Sequence, residues 1–82
     1  MTSKEYLRSR IEADSRNLDD IERLGWDESS SRQIVEHCAV RLIEAEDMLD
    51  PADTQMITLR LLCDAKINLR IAVRLLKKWS KP

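Results

Sequence analysis

From Pro51 to Trp79 the chain carries apolar residues at helical spacing on two sides at once. Leu61, Leu62, Ala65, Leu69, Ala72, Val73, Leu76 and Trp79 form one stripe at the period of an α-helix. Met56, Cys63, Ile67 and Ile71 form a second patch on another side. One stripe is enough to close a small bundle. The second asks for a further surface, most simply another copy of the chain. Ile67, Leu69, Ile71, Val73 and Leu75 also alternate with period two, as in a strand. A lone strand would have no partner, and Ala65, Lys66, Leu76 and Lys77 favour helix.

The rest of the chain reads as two shorter helices. The first is expected over about 3–24. Thr2 and Glu5 have capping-box spacing, Leu7, Ile11, Leu18 and Ile21 lie on one stripe, and Gly25 ends it as a residue free to turn left-handed. The second is expected over about 28–49, with Asp27 and Glu28 at the positive end of its dipole. Val35, Cys38, Leu42, Ala45 and Leu49 give it a 3-4-3-4 stripe, while Val40 and Ile43 lie on the opposite side and want cover. Asp50-Pro51-Ala52-Asp53 predicts a tight hairpin, with Asp50 as cap and Pro51 in the first turn of a third helix over about 51–79. The expected fold is all-α: one domain of 82 residues, a short N-terminal helix packed on an antiparallel helical hairpin, assembled as a homo-oligomer. A chain this short buries little of its surface alone, so self-association would help.

Charge is uneven along the sequence. Residues 26–50 hold two basic and seven acidic side chains, and residues 51–82 hold seven basic and two acidic. After Asp64 there are six Lys or Arg and no carboxylate. This leaves a basic C-terminal end open to anions. Lys66, Arg70, Arg74 and Lys78 repeat every fourth residue, with Lys77 and Lys81 beside them. The protein is slightly acidic overall and lacks a recognition-helix motif, which speaks against duplex DNA. Trp79 among lysines suits a membrane surface, but no segment has the length and apolarity of a span. The first apolar run is broken by Arg8, Arg10 and Glu12, unlike a secretory leader, and the two cysteines suit a reducing compartment. The expected location is the cytoplasm.

No catalytic motif is present. A tight hairpin sets His37 level with Asp64 and Cys38 level with Cys63, which invites a nucleophile reading. Cys38 lies on the core stripe, where a thiol is an inert small hydrophobe, and no turn stands ready to hold an oxyanion. One His and two Cys without CxxC or HxxxH spacing give no metal set. No enzyme activity, metal or cofactor is expected. Candidate binding residues come instead from a line beside the first apolar stripe: Tyr6, Arg10, Asp14 and Asn17. Tyr6 is suited to stacking on a ring, Arg10 to gripping phosphate and Asn17 to reading a base edge. The plainer alternative is a solvated Arg10–Asp14 pair beside a half-buried tyrosine. Trp26 is either a ligand wall or a staple over the second helix. Arg70 and Arg74 complete the candidate set.

Leu7-Arg8-Ser9-Arg10-Ile11-Glu12 resembles the opening helix of the all-helical chorismate mutases, in which an arginine contacts a substrate carboxylate. The central lysine and the Asp…Arg-Glu group of that family have no counterparts in 26–60. The chain also resembles the small phage proteins that sequester cyclic nucleotides and so blunt CBASS immune signalling. That resemblance rests on an N-terminal helix with a tyrosine, then a hairpin whose last helix reads Thr58-Leu59-Arg60-Leu61…Asp64-Ala65-Lys66 and runs into Arg70-Ile71-Ala72-Val73-Arg74. It implies an oligomer with ligands between subunits and Tyr6 as stacking group. Trp26 departs from the polar or basic residue expected at that connection. The expected function is thus capture of a cyclic-nucleotide-type anion. The alternatives are a protein-binding inhibitor or adaptor using an exposed apolar face, with a host protein among its candidate partners, and a mutase-like enzyme.

Overall fold

A computed structural model describes residues 3–80 of the chain. Three helices follow one another: α1 (Ser3–Leu24), α2 (Glu28–Asp47) and α3 (Met56–Ser80). The Thr2 capping position and Lys81 lie outside the described residues. Ion pairs across the helices give their directions. Arg10 meets Glu44 and Asp14 meets Arg41, so α1 and α2 are antiparallel. Lys4 meets Asp53 and Glu22 meets Arg74, so α1 and α3 run parallel. Each helix packs against both others, in a body of 42 × 22 × 17 Å.

One spacing rule builds the interior. The buried positions are Leu7, Ile11, Asp14, Leu18 and Ile21 on α1, and Ser31, Val35, Cys38, Leu42 and Ala45 on α2, continued by Leu49. On α3 they are Thr58, Leu61, Ala65, Asn68, Ala72 and Leu75. All three lines alternate steps of three and four, the seam that lets helices interlock side by side. The stripes expected on α1 and α2 are buried. On α3 the core line is rotated from the expected one: Leu75 is buried, Leu62, Leu69, Leu76 and Trp79 are only partly covered, and Val73 is exposed. The reason is that Thr58 and Asn68 occupy core positions. Thr58 Oγ1 donates to Asp53 at 2.8 Å, and Asn68 Nδ2 donates to the Asp64 carbonyl one turn earlier at 2.8 Å. Polar groups satisfied locally lose little by burial.

The helix boundaries follow from capping. Gly25 takes φ +69, and the Gly25 and Trp26 N–H groups both close on the Ile21 carbonyl. Asp27 caps α2, accepting from the Ser30 N–H at 3.0 Å and from the hydroxyls of Ser29 and Ser30. The third helix begins at Met56 and not at Pro51. Asp50 accepts from the Ala52 N–H at 2.9 Å and Asp53 from the Gln55 N–H at 2.9 Å. Two successive aspartate turns therefore take up the segment in which the first turn of helix was expected. Lys4 reaches across to Asp53 and Gln55, tying α1 to this connection.

Candidate functional site

The rotation of α3 decides what its surface offers. With Leu61, Ala65, Ala72 and Leu75 turned inward, the flank toward α2 is left as a groove. It has a volume of about 790 Å³ and is lined by Leu69, Val73, Lys66, Arg70, Arg74, Lys77 and Lys78 of α3 and by Glu46 of α2. Its floor is apolar: Leu69 is half-buried and Val73 exposed. Its rim carries five cationic side chains against one carboxylate. No acid follows Asp64 in the sequence, so α3 cannot neutralise these charges within itself. Among the described residues, Arg74 alone of the five is paired across the bundle, to Glu22. One oxygen of Glu46, Oε1, is buried with no hydrogen-bond partner among the described residues.

The candidate residues fall into two groups. Tyr6 and Arg10 stand together, the guanidinium 5.6 Å from the ring centroid, in cation–π range. Arg10 also reaches Glu44 at 3.7 Å. The tyrosine is 49% exposed. Arg70 and Arg74 lie in the α2–α3 groove, whose lining includes no α1 residue. Asn17 and Trp26 are exposed and line neither group. A single chain therefore brings Tyr6 to Arg10 and Arg70 to Arg74, but does not join the two pairs in one cleft.

Asp14 differs from expectation. It does not pair with Arg10 in solvent. It occupies the core line of α1, 2% exposed, and accepts from Arg41 Nη2 at 2.6 Å. The same nitrogen lies 3.9 Å from Cys38 Sγ. Burial opposes the Arg41 charge, yet the facing Asp14 carboxylate outweighs it and raises the guanidinium pKa. Burial pushes the Cys38 thiol pKa upward, Asp14 adds to this, and Arg41 opposes it. Cys38 is thus held as a neutral thiol, poorly suited to attack. His37 and Cys63 are exposed, so neither shares the buried surroundings of Cys38. Among the described residues, no three His, Cys, Asp or Glu side chains converge as metal ligands would. No described helix is long and apolar enough to cross a membrane. Comparison with protein families, with curated proteins and with solved structures returns no match.

Proposed function

We propose that the protein is a non-enzymatic binding module whose α2–α3 groove captures an acidic, amphipathic helix of a partner protein, making it an inhibitor or adaptor. One observation carries this reading: the groove joins an apolar floor, Leu69 and Val73, to a rim of five cations along the same helix face. A helix with apolar anchors at i, i+3 and i+4 and carboxylates beside them matches both features. A small anion would use the charges and leave the floor uncovered. Rim charges chiefly steer encounter, and apolar anchors hold the complex. The test is fluorescence anisotropy with a labelled Leu/Glu amphipathic peptide and a scrambled peptide of equal composition. The ordered peptide should bind at least tenfold more tightly. Arg70→Glu should weaken it and make its loss with salt shallower, because less attraction is left to screen, and Val73→Asp should abolish it. Equal binding of both peptides would refute the docking mode.

A second reading has its own observation. Tyr6, half-exposed beneath the Arg10 guanidinium, is a stacking platform next to a group able to donate hydrogen bonds to phosphate. This supports sequestration of a cyclic-nucleotide-type anion, with Arg70 and Arg74 supplied by a neighbouring copy. Calorimetry against cyclic di- and trinucleotides separates the two. Under this second reading a ligand binds and Tyr6→Ala costs about 1–3 kcal/mol of affinity. Silence across the panel leaves the peptide groove.

A further inference from the structure

On the other side of α3, between α1 and α3, lies a separate crevice of about 860 Å³ that includes Arg8, Glu12, Met56, Ile57, Arg60 and Asp64. Its apolar part is unusually bare. Met56 is 80% exposed, Ile57 is more than a third exposed, and Ile67 continues the same side of the helix, half-exposed. Its charges are of two kinds. Arg8 and Glu12 close on each other at 3.1 Å along α1 and add no net charge. Arg60 and Asp64 stand one turn apart on α3, yet neither makes an ion pair among the described residues. An acid placed after its base along a helix is the weaker order for pairing within the helix. The crevice therefore presents exposed apolar side chains beside one unpaired cation and one unpaired carboxylate.

We infer that this face docks a second copy of the chain about a two-fold axis, with α3 antiparallel to its counterpart. A two-fold contact places one patch against itself, so the patch must carry both signs of charge. This one does, at matching spacing. With the axis level with Leu62, Arg60 of each copy stands level with Asp64 of the other, and Ile57 level with Ile67. The Arg60–Asp64 ion pair forms twice, and Met56 gains cover. The five-cation groove could not serve in this way, since it would meet its own charge. The contact uses the α1–α3 side and leaves the α2–α3 groove open, so a dimer would carry two grooves.

Sedimentation velocity at micromolar concentration, without any peptide or nucleotide, tests this contact apart from the function proposed above. The expected mass is twice the 9.6 kDa of one chain. Arg60→Asp and Asp64→Arg should each shift the protein to monomer. Together they should restore the dimer, because both cross-pairs return with reversed sign. Circular dichroism on the same samples checks that the helices persist in every variant. A single-chain mass for the unaltered protein, or a dimer indifferent to the single reversals, would overturn the inference.

Discussion

Replacing Arg41 by Leu strips the cation from a carboxylate that is 2% exposed, and the cost follows from that burial. Removing one partner of a fully buried ion pair costs about 3–5 kcal/mol, because the remaining charge is left without solvent or counter-charge. Arg41 is itself 42% exposed, so truncating it admits some water toward Asp14. The lower end, about 3 kcal/mol, is therefore expected. The opposite change behaves differently. Asp14→Leu leaves a guanidinium that already reaches solvent, and it adds an apolar side chain to the line Leu7–Ile11–Leu18–Ile21. Its effect should be within about 1 kcal/mol of neutral, in either direction. The double variant should then be about 2 kcal/mol more stable than Arg41→Leu alone, a coupling typical of residues in direct contact. Urea titration followed by circular dichroism, at one fixed protein concentration, gives all four corners of the cycle. Equal losses for the two single variants, or a loss under about 1 kcal/mol for Arg41→Leu, would refute the account of Asp14 as a carboxylate held in the core by Arg41.

Two further outcomes are expected. In the Arg60→Asp variant, where the α3 face is expected to stand free, one thiol per chain, Cys63, should react with a thiol reagent, and Cys38 should react only after unfolding, as counted by Ellman titration with and without denaturant. Acid should also weaken the fold. The Asp27 carboxyl is held below its ordinary value of 3.8 chiefly by the Ser30 hydroxyl, and that of Asp53 chiefly by the Gln55 N–H. A depressed carboxyl contributes stability above its unfolded value and loses it as pH falls through its folded one. The melting temperature should therefore hold near neutrality and drop below about pH 4, with a shallower drop for Asp53→Asn.

Capping chemistry made most of the helix boundaries legible. Gly25 and Asp27 mark the first connection because each does one local thing, a left-handed turn and a side-chain cap. The second connection holds two rival caps. Asp50 was the nearer, but Asp53 gathers the Gln55 N–H, the Thr58 hydroxyl and the Lys4 ammonium, and the last of these comes from a helix about 50 residues away in sequence. No local reading of 50–55 contains that partner. The interior was legible wherever it is apolar. Asp14, Ser31, Thr58 and Asn68 are not legible as core, because hydropathy removes them from a core stripe although each sits on the three-four alternation. An acid on the Leu7–Ile21 line was itself the signal that a cation must reach it. The basic face of α3 was visible as an i, i+4 row. Its apolar floor was not, since hydropathy alone puts Leu69 and Val73 on the core stripe, and the buried Thr58 and Asn68 turn the helix away from it.

Three helices, an odd number, put the two ends of the described chain at opposite ends of the 42 Å body. Tension applied through those ends acts along the long axis. The parallel α1 and α3 would have to slide past one another, breaking their side-by-side contacts together, where a two-helix hairpin held at adjacent ends would unzip turn by turn. The Lys4–Asp53 and Glu22–Arg74 links stand near the two extremities of that sliding interface. Resistance to pulling is set by the unfolding rate and not by equilibrium stability. A chain loaded in this way should behave as a stiff spacer between whatever is joined to its two ends, yielding in one step.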